Sequence, residues 1–467
     1  MRSIRPDDDI MILAEKDTCP FHIGAYQRYQ VPAAERPGFL ARVREHFAKR
    51  LPATPLLCRL VEHPDGFDSS QWLELASCDL DYHITAVDPA ETRTWPAVDD
   101  FIGRCTLERL DLSRPPFRVY VMSELPDPDQ CALLIKVHHA VADGIGFQTI
   151  VTLLTDPTPK PSYGQPKRTL DETPPTAAEW TAAAEARFAA EAPLREQQAA
   201  TRKAAEEALA ALRTDPAMKR AKTPQLKLGN QITTARTYST LSLPLARFRA
   251  LGKTLGATVN DIFLTVCGGA LRSYLLALDD LPEEPLVVNS ARSLRQPEHG
   301  DFGNRIVALN PHIGTHLSNP LDRLRAIQQA MAVELKRSDI VKLTLDRMET
   351  PYGASKRKQG FAKYADTTGR AMPGNITVAN VPGPAEPRYL AGYRQLTNFP
   401  TPILEGGRFL NITLRRNADM LDAGIMVNSR HPVEDRRLGE YLEAALGELE
   451  QAAAGLQKQF QQQSQQQ

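Results

Sequence analysis

The residues best suited to chemistry are two adjacent histidines, His138 and His139, followed by Asp143 and Gly144. They come directly after an apolar run at 131–137 that has the composition of a buried strand. Neighbouring residues of a strand point to opposite faces of the sheet, so the two histidines cannot easily share one metal ion. We therefore expect one histidine to face a cleft and the other to face inward or along the sheet.

A neutral histidine at the end of a strand suits the role of general base. Its ordinary pKa of about 6.5 lets the ring take a proton from a hydroxyl at neutral pH. Asp143 is expected to anchor the loop through an ionic bond, and Gly144 is expected to allow a close approach that a side chain would block. The competing interpretation is a purely structural pair of buried histidines with a capping aspartate.

The six cysteines give no support for a metal centre or for a disulfide framework. No two of them are spaced as a Cys-x-x-Cys pair, and Cys131 and Cys267 lie within apolar runs. Buried cysteines of this kind act as small hydrophobic residues. The sequence therefore predicts that the protein holds no metal and no permanently bound cofactor.

The length and charge of the chain restrict its organisation and its partners. A chain of 467 residues is too long for one ordinary hydrophobic core, so two domains are expected. The formal net charge is zero, which argues against nucleic-acid binding. The N-terminus lacks the apolar core of a signal peptide, and no apolar run is long enough for a transmembrane helix. We expect a cytoplasmic protein; peripheral contact with a membrane or lipid droplet stays open.

Hydrophobic periodicity predicts helices and strands in both halves of the chain. Residues 36–50 place apolar side chains on one helical face. Residues 258–278 have the pattern of a buried amphipathic helix with Thr258 as its N-cap. Further strands are predicted at 117–123 and at 285–295.

We predict four segments along the chain. An N-terminal domain at 1–175 carries the histidine motif, and a polar helical linker follows at 176–232. A C-terminal domain spans 233–457, with its last helix ending near Leu456. A Gln-rich tail at 458–467 is predicted to be disordered.

The segment His138–Gly144 has the sequence HHAVADG and matches the HHxxxDG signature of the CoA-dependent acyltransferase superfamily. Within that superfamily, the chain resembles the bacterial wax ester synthase/diacylglycerol acyltransferase family. Shorter segments that carry this resemblance follow one another along nearly the whole chain: 11–30, 80–87, 110–125, 259–264, 293–295, 303–304, 380–384 and 410–413. The order of these segments along the chain is more specific for the family than any single segment.

The resemblance implies an α/β (α+β) fold with two chloramphenicol-acetyltransferase-like domains, each a mixed β-sheet flanked by helices. The active-site tunnel would run between the two domains. Acyl-CoA would enter from one face as co-substrate, and a hydroxyl-bearing or amine-bearing acceptor would enter from the other. The two would meet at His139, and the acyl group would pass directly, without a covalent enzyme intermediate.

The resemblance also assigns roles within the motif. It makes His139 the general base, and His138, Asp143 and Gly144 complete the predicted catalytic motif. It implies that Asp143 points away from His139 and pairs with an arginine. Arg295 stands at the matching position, and Arg292 is the alternative because the surrounding loop departs from the family pattern.

An Asn-Asp motif at the start of a predicted helix supplies two further candidates. Asn260 is expected near the site as a donor to the tetrahedral oxyanion, with Asp261 in a supporting position. His22 is expected to pack or cap rather than react, and Asn304 is expected to fix a turn.

The predicted function is transfer of a fatty acyl group from acyl-CoA to an alcohol or to the hydroxyl of diacylglycerol. The alternative is an O- or N-acyltransferase of specialised metabolism, with a different acceptor or a carrier-protein thioester as donor. Departures from the family pattern at Pro116–Phe117 and Arg415–Arg416 keep this alternative open. A third interpretation is a non-catalytic, condensation-like binding module, which the presence of His139 and Asp143 argues against.

Overall fold

The computed structural model of the protein describes residues 1–163, 173–229, 231–296, 302–342 and 373–465, together with Leu170 and Gly300. The helices of these ranges are α1 (Pro6–Ala14), α2 (Phe39–Arg50), α3 (Leu80–His83), α4 (Trp95–Cys105), α5 (Gly144–Leu154), α6 (Ala177–Ala190), α7 (Ala192–Thr214), α8 (Leu245–Leu255), α9 (Val259–Ala277), α10 (Pro320–Val341), α11 (Pro432–Arg436) and α12 (Leu438–Gln465).

The strands of the same ranges are β1 (Arg2–Ser3), β2 (His22–Gln30), β3 (Cys58–Val61), β4 (Gln71–Glu74), β5 (Ile84–Ala86), β6 (Phe117–Met122), β7 (Gln130–His138), β8 (Arg236–Pro244), β9 (Val288–Ser293), β10 (Ile306–Leu309), β11 (Ile376–Val381), β12 (Tyr389–Leu390), β13 (Tyr393–Thr401), β14 (Leu410–Asn417) and β15 (Met420–Asn428). Helices and strands are therefore present in both halves, as the periodicity predicts. A small third sheet has the order β1-β4-β3.

The first large sheet has six strands in the order β12-β13-β2-β7-β6-β5. Its strand β7 pairs antiparallel with β2 on one side and with β6 on the other. Alternate residues of β7 pack in the N-terminal core, and the others pack in a layer that also contains Tyr238 and Met426 from the second half. A side chain of β7 thus faces either the N-terminal core or the layer between the halves.

The second large sheet has the order β10-β9-β11-β14-β15-β8, and β14 and β15 form a long antiparallel hairpin. One face of this sheet packs against α8, α9 and α12 in the C-terminal core. The other face turns towards β13 of the first sheet. Gly424 shows how closely the sheets approach, because a Cβ atom at this position would overlap the carbonyl oxygen of Pro400.

The two sheets depart from the predicted domain boundaries. Strands β12 and β13 lie within the predicted C-terminal domain at 233–457, yet they complete the first sheet, where β13 pairs antiparallel with β2. The sequence pattern could not show this, because an apolar alternation marks a strand without naming its partner. The second half of the chain therefore contributes directly to the N-terminal sheet.

The predicted helical linker contains two helices, α6 and α7, which meet at Glu191. Pro193 lies in the first turn of α7, where its missing N–H breaks no hydrogen bond. The predicted disorder of the tail at 458–467 is wrong for most of its length, because α12 continues to Gln465. Glutamine is a good helix former, and the tail holds no Gly or Pro to end the helix.

Within the described ranges, no single helix has the length and hydropathy needed to cross a membrane. Helices α8 and α9 meet that threshold only when they are taken together across a bend of 101°.

Candidate active site

The histidine motif occupies the junction between β7 and α5. Strand β7 ends at His138, and α5 begins at Gly144. Asp143 is the N-cap of α5, and its Oδ1 accepts a hydrogen bond from the backbone N–H of Gly146 at 2.8 Å. Gly144 lies against Val381, whose side chain would be only 3.1 Å from a Cβ atom at this position. The predicted close approach at Gly144 is therefore made by Val381.

His138 is fully buried. Its Nδ1 accepts a hydrogen bond from the backbone N–H of Ala140 at 3.1 Å, so the neutral ring carries its proton on Nε2. That Nε2 atom lies 3.7 Å from Oε1 of Glu15. Burial lowers the pKa of His138 to about 3, and the neighbouring His22 adds to the shift. His138 is therefore neutral at physiological pH.

Glu15 is a buried carboxylate behind the motif. Its Oε1 accepts a hydrogen bond from the backbone N–H of Phe21 at 3.2 Å and lies 3.2 Å from Nε2 of His22. Its Oε2 accepts a hydrogen bond from Arg109 at 3.0 Å. Burial opposes ionisation of Glu15, but the hydrogen bonds from His22 and Arg109 lower its pKa to about 2. His22 also packs edge-on against His138, with ring centres 5.8 Å apart.

His139 is partly exposed. Its backbone N–H donates to the carbonyl oxygen of Phe21 at 2.7 Å, and its own carbonyl accepts a hydrogen bond from Nδ2 of Asn304 at 2.8 Å. Burial lowers the pKa of His139, and the negative charges of Glu405 and Asp143 oppose this shift. The ring is therefore neutral at physiological pH, which is the form that accepts a proton.

Asp143 faces an arginine from the second half. Its Oδ2 accepts a hydrogen bond from Nη2 of Arg295 at 2.9 Å and another from the backbone N–H of Arg305 at 3.1 Å. The side chains of Asp143 and Arg295 are 2 % and 9 % exposed, so the ion pair is buried. Of the two arginines considered as partners, Arg295 makes the pair, and Arg292 instead pairs with Asp339 at 3.0 Å.

Residues of the second half also form hydrogen bonds with the motif loop, which is the segment that joins β7 to α5. The backbone N–H of Gly303 donates to the carbonyl of Val141 at 3.0 Å. Asn304 donates from Nδ2 to the carbonyl of His139 and to Oδ1 of Asp8 at 2.6 Å. Asn304, predicted to fix a turn, therefore joins three distant segments. Sequence reasoning missed Asp8, because a partner 296 residues away leaves no spacing signal.

A cavity of about 230 Å³ opens beside the motif loop. It lies between that loop, the N-terminal segment and a loop of the second half. Its lining residues are Arg2, Ile4, Arg5, Asp8, Trp72, Ala140, Val141, Gly300, Phe302 and Gly303. Ala140 and Val141, which follow His139 in the loop, form part of the cavity wall.

The Asn-Asp motif lies at the start of α9. Asp261 and Thr258 form a capping box, in which Thr258 accepts from the N–H of Asp261 at 3.1 Å and Asp261 accepts from the N–H of Thr258 at 2.9 Å. The predicted N-cap is thus confirmed, and the carboxylate of Asp261 is engaged in the helix. Asn260 has no hydrogen bond to His139 among the described residues, so its role stays a prediction. In the same ranges, no three His, Cys, Asp or Glu side chains are grouped to hold a metal ion.

Comparison with known proteins identifies the family. Residues 4–263 match the wax ester synthase/diacylglycerol acyltransferase catalytic domain, and residues 302–450 match the C-terminal domain of the same family. The chain is 30% identical to a Mycobacterium tuberculosis protein assigned as a diacylglycerol O-acyltransferase, over 96% of this chain and 99% of the relative. It is 25% identical to the O-acyltransferase WSD of Acinetobacter baylyi, over 91% of this chain and 92% of that protein.

A solved structure leads to the same family. The wax ester synthase/diacylglycerol acyltransferase from Marinobacter aquaeolei VT8 matches with a TM-score of 0.66 and 25% sequence identity, over 97% of this chain and 100% of that chain. This match confirms the predicted fold class. The chain is an acyltransferase and belongs to the wax ester synthase/diacylglycerol acyltransferase family.

Proposed function

We propose that the protein transfers a fatty acyl group from acyl-CoA to the hydroxyl of an alcohol or of diacylglycerol, with His139 as the general base. One observation carries the proposal: His139 is a partly exposed residue with a neutral ring, on a loop that residues from both halves of the chain hold in place. The names of the relatives support the substrate classes.

The reaction is a direct displacement at the thioester carbonyl. The acceptor oxygen attacks the carbonyl carbon while its proton passes to His139. Because Nδ1 of His139 is buried, Nε2 is the nitrogen that we assign to this transfer. The tetrahedral intermediate then expels the CoA thiolate, which takes the proton from His139 as the C–S bond breaks. A C–O bond replaces the C–S bond, and His139 returns to its neutral form.

Asp143 acts in this scheme as a positioning residue. Its two carboxylate oxygens are used by the cap of α5 and by Arg295, so it is not available to the substrate. The ion pair fixes the loop between β7 and α5, and through it the position of His139. Such fixed placement matters because small displacements of a catalytic group strongly reduce the rate.

We assign the cavity beside Ala140 to the acyl-CoA donor. Arg2 and Arg5 lie in its wall, and positive side chains suit the phosphate groups of CoA. Asp8 lies in the same wall, with Oδ1 bonded to Asn304. The acceptor is then expected to approach His139 from another side of the motif.

The test is turnover by the purified protein. Acyl-CoAs of several chain lengths are supplied with long-chain alcohols, diacylglycerol and amines, the products are identified by mass spectrometry, and free CoA is measured in parallel. We expect ester formation that matches the release of CoA. Release of CoA without any ester, or no release at all, would contradict the proposal.

The alternative is acyl transfer to a specialised acceptor or from a carrier protein. The polar residues Arg415 and Arg416 on β14 favour this alternative, because they depart from the family pattern. Competition between acyl-CoA and a carrier protein loaded with the same acyl group separates the donors. Flotation with liposomes tests the peripheral membrane contact expected of an enzyme with apolar substrates.

A further inference from the structure

Strand β14 has one apolar face and one polar face. Because side chains alternate along a strand, Leu410, Ile412 and Leu414 pack together in the C-terminal core. The alternate residues face the layer between the two large sheets, and they are buried and polar: Asn411, Thr413, Arg415 and Asn417. Buried polar groups of this kind normally find hydrogen-bond partners.

Arg415 is the member of this face that has too few partners. The residue is 3 % exposed, and its Nη1 makes one long hydrogen bond of 3.4 Å to Oδ1 of Asn398. Its buried Nε has no partner in the part of the chain that the structure describes. The guanidinium lies over the ring of Phe147, with 5.1 Å between Cζ and the ring centre. Burial lowers the pKa of Arg415 to about 10, so the group still carries its charge at neutral pH.

Asn398 on β13 presents a second donor beside Arg415. Its Oδ1 accepts hydrogen bonds from Gln27 at 3.1 Å and from Arg415. Its Nδ2 is buried and has no acceptor among the described residues. Two neighbouring donors, one of them charged, thus lack acceptors. A carboxylate offers two acceptor oxygens, and its hydrogen bonds to a guanidinium are charge-assisted.

Asp422 does not supply the missing acceptor, although it lies directly opposite Arg415 in the β14–β15 pair. Its oxygens accept hydrogen bonds from Ser242 at 2.5 Å, from the backbone N–H of Asn398 at 2.7 Å and from Asn417 at 3.0 Å. Burial raises the pKa of Asp422, and hydrogen bonds to the carboxylate oppose this shift. In the described ranges, Arg415 therefore remains a buried cation without an ion pair, an arrangement that is strongly unfavourable.

Arg415 lies close to the motif helix. It is in register with Val381, which contacts the start of α5 at Gly144, and Phe147 lies in the first turn of the same helix. One helical turn is about 5.4 Å long, so the guanidinium lies within reach of the end of the motif. None of the donor cavity's lining comes from β13, β14 or α5. Arg415 is therefore not part of the wall of the donor cavity.

We propose that Arg415 and Asn398 bind a carboxylate carried by the acceptor, so that an acceptor with both a hydroxyl and a carboxylate is preferred over a neutral one. The carboxylate oxygens accept hydrogen bonds from Nε of Arg415 and Nδ2 of Asn398, and they give the buried guanidinium its counter-ion. This inference rests on the proposed acyl transfer and on the assignment of the cavity to the donor.

The experiment compares ω-hydroxy fatty acids of several chain lengths with their methyl esters as acceptors. For the wild type, we expect kcat/KM to be at least tenfold higher for the acid at the chain length that reaches Arg415. Arg415→Met should lower the acid-to-ester ratio at least tenfold. Arg415→Lys should lower it less, because the charge remains and the planar fork is lost. Arg416→Met is the matched control and should leave the ratio unchanged, since Arg416 bonds the carbonyl of Ala418.

Equal kcat/KM for acid and ester in the wild type would overturn the inference, while ester formation with both would leave the acyl transfer intact. Absence of turnover with either acceptor would overturn the proposed function and this inference with it. A second arm uses ω-carboxyacyl-CoA with a neutral alcohol. A preference that appears only in this arm would place the carboxylate on the donor and overturn the acceptor assignment. If Arg415→Met does not fold, the wild-type preference and Arg415→Lys decide the outcome.

Discussion

His138 and His139 are neighbours in the sequence, but they occupy different environments. His138 is fully buried, with Nδ1 bonded to Ala140 and Nε2 facing the carboxylate of Glu15. His139 is partly exposed, and protein hydrogen bonds hold its backbone. The difference arises because β7 ends at His138, so the next residue leaves the sheet. The same side chain is therefore structural at one position and available for chemistry at the next.

The two histidines also differ in what holds them. His138 depends on the N-terminal segment, through Glu15 and His22. The loop of His139 depends in addition on the second half, through Asn304 and Arg295. His139, the proposed base, is therefore positioned by contacts between the two halves, whereas His138 is fixed within one of them.

The largest effect is expected from His139→Ala. Loss of a general base typically reduces the rate by about 10²–10⁴-fold, while the fold and the binding of acyl-CoA should be kept. His138→Ala is the matched control: its cost should appear as lower thermal stability, because it removes a buried ring that packs against His22. Acyl transfer and thermal unfolding are measured for both variants. Loss of activity in His138→Ala alone would mean that the base is assigned to the wrong residue.

The second largest effect, on both stability and activity, is expected from Asp143→Asn. Removing one partner of a buried ion pair costs about 3–5 kcal/mol of stability, and the freed loop should lower activity as well. Arg292→Met is the matched control, because the ion pair of Arg292 with Asp339 is at the surface and is worth less than about 1 kcal/mol. Denaturant unfolding and acyl transfer are measured side by side. If Asp143→Asn had the same stability and the same activity as the wild type, the positioning role of Asp143 would be contradicted.

No effect is expected from metal removal. The reaction scheme assigns every proton transfer to His139, and the described residues contain no cluster of three His, Cys, Asp or Glu side chains that could hold a metal ion. Acyl transfer is measured after exhaustive chelation and again after single metals are added back. Loss of activity that one specific metal restores would show that the scheme is incomplete.

The parts of the site that are contiguous in sequence could be predicted. The strand at 131–137 and the helix after it follow from composition and period, and Thr258 follows from the capping pattern of α9. The pairing of Asp143 with Arg295 could not come from spacing, because 152 residues separate them. The pairing was predicted from the family resemblance, which indicates the matching sequence position of the arginine but does not show the contact itself.

The contacts that hold the site from a distance could not be predicted. Asp8 reaches Asn304, and the charge of Glu405 acts on His139, yet neither residue lies in a recognisable pattern. Glu15 lies in the opening segment, but nothing in its neighbours indicates a buried carboxylate. The exchange of β13 into the first sheet was missed for the same reason, since strand partners are set by three-dimensional packing.

The most direct test of His139 as the base is the pH dependence of single-turnover acyl transfer by wild type, His138→Ala and His139→Ala. Burial lowers the pKa of His139, so the wild-type rate should rise with pH through a midpoint below about 6.5, as the ring loses its proton. His138→Ala should keep this rise, and His139→Ala should lose it together with most of the rate. A rise that persists in His139→Ala at an undiminished rate would contradict the assignment of the base.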